Sequence, residues 1–298
     1  MSQTSGDEAP EPKRLPSSAR SSAEPDQDAR GLMVDMQTLR SSGVRTVNRP
    51  AAQARRRGDR VPRASWKRWL MGISTAILFM ALLIHGLVLI KIFNYKRSNP
   101  AVTSLMEQRA SQAAAAGQQV RREQTWISYD RISPWLVRSV LAGEDSRFFD
   151  HSGFDWEEIQ KAIEKDWEDK GFTRGASTIS QQLAKNLFLS TSKNPLRKLH
   201  EAIITWEMER VLGKRRILEL YLNVIEWGDG IYGADAAARH YFDVSASGLG
   251  PDQAAFLSAI IPNPRGAYNP TTHRKRVEHR KALIQRLMRH VVVPKDLN

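Results

Sequence analysis

Between Glu144 and Gly233 the chain repeatedly places carboxylates, amides and cations one helical turn apart. Glu144 and Asp145 close an apolar helical pattern. A carboxylate there opposes the helix dipole, at a cost of about 0.3–1 kcal/mol, which raises its pKa and suits a proton acceptor. The same pair also reads as an acidic helix end neutralised by Arg147. Ser177, Gln181 and Lys185 follow at spacings of four and share one face. Hydroxyl and amide groups at a helix start, with a cation one turn on, can hold phosphate oxygens. A capped amphipathic helix reads the same way. Arg197 and Lys198 reach Glu201 at i,i+4 and i,i+3. On spacing alone these are surface ion pairs worth little. Taken together, the groups describe a site for an anionic substrate. His151 has no partner at metal-ligand spacing and reads as a structural hydrogen bond. Ser190 to Lys193 matches a serine–lysine tetrapeptide by accident, because no Lys-Thr-Gly follows.

The elements that must position these groups are helical. Ser133-Pro134 is a start signal, with Leu136, Val137, Val140 and Leu141 on the face leading to Glu144. Asp155 to Glu158 reads as a capping box for a helix with Trp156, Ile159, Ile163 and Trp167 along one face. Ser177 is expected to cap a helix carrying Ile179, Leu183 and Leu187. Asn194-Pro195 opens another, with Leu196, Leu199, Ile203 and Trp206 expected inward and Gly213 ending it. Further helices are expected at 214–224, 233–242, 251–261 and 274–290. Strand signals are weak. Gly228-Asp229-Gly230 reads as a turn with no strand before it, and Trp227 and Tyr232 as core or groove walls.

Composition says where such a site sits. The net charge of +13 favours an anionic partner: nucleic acid, acidic lipid or a phosphate-bearing substrate. With no cysteine, disulfides and thiolate metal sites are excluded. Residues 1–65 have sparse apolar residues and read as a disordered basic tail. From Trp69 to Ile90 no residue is charged if His85 is neutral. As a helix that run rises about 33 Å, enough for a bilayer core of about 30 Å. Residues 66–97 therefore read as an uncleaved anchor with its flanks. Eight Lys/Arg lie in 49–68 and three in 91–97, which places the tail in the cytoplasm and the C-terminal bulk outside. Residues 98–125 read as a linker, either a short helix or a spacer, and 126–298 as one domain.

Glu144 to Phe149, Gly175 to Asn186, Arg197 to Glu201 and Lys214 to Asn223 together resemble the motifs of the lysozyme-like peptidoglycan glycosyltransferases. The resemblance runs from Ile132 to about Pro264. With one anchor and no transpeptidase domain, the chain is similar to the monofunctional biosynthetic members. The resemblance implies a mainly α, lysozyme-like catalytic domain behind one N-terminal transmembrane helix. It implies polymerisation of lipid II outside the cytoplasmic (inner) membrane. The donor is the growing glycan on undecaprenyl pyrophosphate, and the anomeric carbon inverts to a β-1,4 linkage. Glu144 takes the place of the catalytic base. Glu201 takes that of a second glutamate that positions pyrophosphate, in some readings through a divalent cation (Mg or Mn). Ser177, Gln181, Lys185, Lys193, Arg197 and Lys198 would line the donor phosphate site. Asp145, Phe148, His151, Thr178, Gln182 and Asn186 belong to the same motifs and are expected at the substrate. The helix from Lys214 to Asn223 would buttress the site, with Glu219 orienting cations and both Glu219 and Asn223 expected at the substrate. No organic cofactor is implied. Other cell-wall synthesis or division proteins are possible partners, and nucleic acid is not one.

Three positions depart from the pattern. Ser180 stands where Thr is common, Lys193 where some members carry Arg, and Gln253 where Glu is usual. A glycan-cleaving enzyme on the same fold is the nearest rival, but it has no pyrophosphate to hold with the cations after Ser177. A non-catalytic wall-binding scaffold would not need Glu144 and Glu201 together.

Overall fold

A computed structural model describes residues 65–168, 177–189 and 195–294. The expected tail, the segment holding Lys193, and Asn194 lie outside the described residues. The described chain is mainly helical, with three short strands. Helix α1 (Ser65–Tyr95) is long and apolar enough to cross a membrane. It is followed by α2 (Ser104–Ala115) and strand β1 (Glu123–Gln124). The middle of the chain holds α3 (Pro134–Glu144), α4 (Trp156–Glu168), α5 (Ile179–Phe188) and α6 (Pro195–Val224). Strands β2 (Glu226–Gly228) and β3 (Ile231–Tyr232) form a hairpin, and α7 (Ala234–Phe242), α8 (Pro251–Ile260) and α9 (Arg274–Leu287) complete the fold. A short strand does precede Asp229-Gly230, contrary to expectation, and the pair turns the hairpin. In the sheet β3 is central, parallel to β1 and antiparallel to β2.

The expected caps at Ser133 and Asp155 are confirmed, that at Ser177 shifts by one residue, and Asn194 lies outside the described residues. Ser133 accepts the Trp135 N–H at the head of α3. Asp155 accepts the Glu158 N–H at the head of α4. At α5 the cap is Thr178, not Ser177. Its hydroxyl accepts the Gln181 N–H while Gln181 Oε1 accepts the Thr178 N–H, a reciprocal box that satisfies two donors at once. Gly213 breaks α6 as expected, at φ +73°, which favours glycine.

Packing brings α3, α8 and α9 to one point. Gly143 lies where a Cβ would meet Ser258 Oγ at 2.9 Å and Ile284 Cδ1 at 3.1 Å. The missing side chain lets α9 approach the last turn of α3. Leu136, Leu141, Leu183, Met208 and Trp227 lie in the main core. The expected linker contributes too. Thr103 caps α2, and Leu105 and Met106 bury themselves against Tyr232.

Two apolar stripes do not point inward. On α4, Trp156 and Ile163 are exposed. On α6, Leu196, Leu199, Ile203 and Trp206 are exposed, while Glu201, Ile204, Thr205 and Met208 face in. The expectation of an inward stripe on α6 is therefore corrected. Periodicity identifies an apolar face but not whether protein or lipid meets it.

Asn223, expected at the substrate, is fully buried and ties α6 to the segment after β1. Its Oδ1 accepts the Ile127 N–H at 2.8 Å, and its Nδ2 donates to Ile127 O at 2.8 Å. Asn223→Leu leaves both backbone groups buried and unpaired. It should lower unfolding stability by about 2–4 kcal/mol. Denaturant melts of the purified domain test this, and an unchanged midpoint would contradict it.

Candidate active site

Glu144 ends α3 with its side chain only 8 % exposed. Burial pushes its carboxyl above the usual carboxylate range, and the nearby Asp145 charge adds to that. The Arg280 charge, with hydrogen bonds from Gln182 and Arg280, pulls the other way. Gln182 Nε2 donates to Glu144 Oε2 at 3.0 Å. Arg280 donates to Glu144 Oε1 at 2.7 Å and to Gly143 O at 2.8 Å. The Gln182 amide is itself oriented. Buried Tyr221, with its phenol pKa pushed well up by burial, donates its hydroxyl proton to Gln182 Oε1 at 2.9 Å. That contact turns the amide NH2 toward Glu144. Helices α3, α5, α6 and α9 thus meet at one carboxylate.

Glu201 is 3 % exposed and accepts from Arg197 at 2.8 Å and from Lys198. These are partly buried contacts to a shielded carboxylate, stronger than the exposed pairs that spacing implied. Lys185 is half-buried between the two carboxylates. Burial lowers its pKa, as do Arg197 and Lys198, while Glu201 and Glu144 oppose the shift. Five groups are therefore electrostatically coupled, three of them cationic. Such a cluster fits a polyanion and leaves Glu144 at its edge as a proton acceptor.

Several expected residues build the site without facing a substrate. Asp145 accepts the Ile179 N–H at 3.0 Å and a hydrogen bond from His151 Nε2 at 3.0 Å. His151 Nδ1 accepts the Gly153 N–H, so its proton belongs on Nε2, and its role is structural as expected. Thr178 and Gln181 are spent on the capping box, and Thr178 also donates to Gly153 O at 2.7 Å. Phe148 is fully buried, with Lys214 Nζ over its ring at 4.3 Å. Phe148 and Asn223 are fully buried, and the hydrogen bonds of Asp145, His151, Thr178 and Gln181 Oε1 are made inside the fold.

Ser177 lies partly exposed just before the cap, its carbonyl 3.4 Å from Gln182 Nε2. Asn186 is half-buried four residues after Gln182 and so on the same face of α5. Glu219 is corrected. It pairs with Arg216 at 2.9 Å, and Arg216 donates to Tyr95 O and Ser98 O, so the pair clamps the end of α1. Two of the three departures are absorbed locally, and Lys193 lies outside the described residues. Ser180 donates to Glu209, and Gln253 Oε1 accepts the Gly250 N–H at 3.0 Å, closing the head of α8.

Arg280 was not anticipated. The signal was present: Val277, Ile284 and Met288 are the buried stripe of α9, and Arg280 falls at i+3 and i−4 within it. A cation inside an apolar stripe needs a partner.

A family profile described as Transglycosylase matches residues 110–289. A protein of Laribacter hongkongensis described as a biosynthetic peptidoglycan transglycosylase is 46% identical over 228 residues, 76% of this chain and 99% of its own length. One of Methylobacillus flagellatus with the same description is 44% identical over 229 residues, 77% of this chain and 97% of its own. Another, of Aromatoleum aromaticum, is 55% identical over 167 residues, 56% of this chain and 73% of its own.

Removing Arg280 removes the charge and hydrogen bond that hold Glu144 down. In Arg280→Leu, Glu144 should therefore titrate at higher pH than in the wild type. Carboxyl-carbon NMR on Glu-labelled protein reads this shift. A downward or absent shift would mean that Arg280 does not control the carboxyl.

Proposed function

The chain belongs to the transglycosylase family and polymerises the glycan strands of peptidoglycan, and we propose that it does so by inverting transfer on lipid II with release of undecaprenyl pyrophosphate. The observation that carries this reading is the juxtaposition of buried Glu144 with the Lys185–Arg197–Lys198–Glu201 cluster. In the proposed step the acceptor 4-hydroxyl loses its proton to Glu144 as its oxygen attacks the anomeric carbon. The bond to the pyrophosphate oxygen breaks, and the leaving group departs as an anion. The three cations meet that developing charge, so no general acid is required. Glu201 holds Arg197 and Lys198 in place. A raised pKa makes Glu144 a stronger base than an exposed glutamate. The carboxylate works only when ionised, so the acidic limb of the rate profile should lie above the usual glutamate value.

The divalent cation expected at Glu201 finds poor ligands. Both Glu201 oxygens already accept from cations, and among the described residues no cluster of three His, Asp or Glu could hold a metal. No catalytic step is assigned to such an ion.

The protein is read as membrane-anchored through α1. The charge asymmetry across α1 supports an inside tail and a periplasmic catalytic domain. Exposed Leu196, Leu199, Ile203 and Trp206 would then dip the donor end of α6 into the outer leaflet, beside the polyprenyl chain.

Two measurements test the reading. Purified full-length protein incubated with labelled lipid II should yield polymer that muramidase digests to the disaccharide unit, and absence of polymer would overturn it. Lys185→Ala should weaken binding of a phosphoglycolipid inhibitor such as moenomycin by about tenfold or more, the usual scale for losing one charged hydrogen bond. Unchanged affinity in a folded variant would remove Lys185 from the phosphate site.

A further inference from the structure

One ionisable side chain inside α1 is not accounted for by anchoring. His85 lies five residues before the end of the uncharged run at Ile90, about 8 Å along the helix. From Trp66 to Ile84, α1 is exposed on all sides. Beyond that, His85, Val88, Leu89, Ile92 and Tyr95 are covered, at the three- and four-residue spacing of one helix face. This covered half packs on α6.

The seam is apolar from Val88 to Ile92, with His85 at one end and Arg216 on the Tyr95 carbonyl at the other. His85 Nε2 stands 2.7 Å from Glu207 Oε1, with the two side chains 25% and 10% exposed. His85 Nδ1 faces His200 Nε2 at 3.5 Å, and the rings lie 5.6 Å apart. A carboxylate takes the proton-bearing nitrogen, so Nε2–H donates to Glu207. The other Glu207 oxygen is buried with no hydrogen-bond partner. Glu207 is thus a buried carboxylate whose hydrogen bond comes from the membrane helix. Such a group is costly to strand, so the contact strongly favours one rotation and one register of α1 on α6. His200 and Glu207 are seven residues apart, on one face of α6. His200 directly precedes Glu201, and Arg197 and Lys198 lie within the preceding turn. The stretch that grips His85 is the stretch that carries the cations.

We propose that His85 is a positioning residue for the donor site: it locks the membrane helix to Glu207 and His200 and so fixes the half of α6 that presents Arg197, Lys198 and Glu201 to the pyrophosphate. This rests on the donor-site reading above. It makes α1 part of the catalytic apparatus as well as an anchor. Apolar contacts at Val88, Leu89 and Ile92 supply adhesion but leave helix rotation weakly determined. Arg216 holds only a backbone carbonyl at the end of α1, so the polar side chain of His85 supplies that missing specification.

The test uses full-length protein in lipid nanodiscs. His85→Leu keeps the span apolar and helical. It should raise amide exchange across residues 196–207 and raise the KM for lipid II about tenfold, with kcat changed by no more than about threefold. His85→Gln retains an N–H donor and should restore the KM to within about threefold of wild type. Adding Glu207→Leu to His85→Leu should cost little more than either change alone, because the two side chains act as a unit. Lys185→Ala serves as the control for the donor site itself. If it raises the KM while His85→Leu does not, the donor reading stands and the positioning role is overturned. Unchanged exchange at 196–207, or a lower melting temperature with unchanged KM, overturns it as well. If Lys185→Ala also leaves the KM unchanged, the donor reading fails and this proposal falls with it.

Discussion

A carboxylate removed from water must be met by donors that cannot drift away, and the arrangement around Glu144 follows from that requirement. Arg280 and Gln182 take one oxygen each, and Tyr221 fixes the orientation of the Gln182 amide. These four side chains come from four helices, so packing and electrostatics are the same problem here. Gly143 lets α9 close in; Asp145, two residues on, binds the first turn of α5 through the Ile179 N–H. Loss of any of these contacts would leave Glu144 with less compensation for its burial. The balance is deliberately incomplete in energetic terms: burial wins over the donors, and the carboxyl stays easier to protonate than an exposed one.

The second constraint is repulsion among cations. Burial makes Lys185 harder to charge, and the nearby charges of Arg197 and Lys198 add to that. Glu201 offsets this from below, which explains why a glutamate is buried in a site for an anion. Both of its oxygens already accept from Arg197 and Lys198, which makes it a spacer between cations. The two glutamates therefore differ in environment: burial keeps the Glu144 carboxyl raised, while Glu201 is taken up by two cations.

Much of this was legible in local chemistry. Caps at Ser133 and Asp155, the break at Gly213 and the pairs around Glu201 depend on neighbours within a turn or two, and spacing reveals them. What depended on distant packing was not legible. Phe148 and Asn223 lie within motif segments, yet their side chains are absorbed by the core and by Ile127. Glu219 was drawn to Arg216 and the end of α1 rather than to the site. The stripe Leu196–Trp206 had the right period but the wrong assumed side, because an exposed apolar face and a core-facing one share one pattern. Arg280 required knowing that α9 packs on α3, a contact between segments more than a hundred residues apart.

The central claim is that Glu144 is the proton acceptor and that its surroundings only hold it. Glu144→Gln keeps the shape and the donors around it and removes the base. Turnover of lipid II by this variant, measured beside its affinity for moenomycin, tests the claim most directly. Turnover should fall by about 10²–10⁴-fold, the usual contribution of a positioned base, while inhibitor affinity and melting temperature stay close to wild type. Near-normal turnover, or a loss matched by an equal loss of inhibitor affinity, would contradict the account.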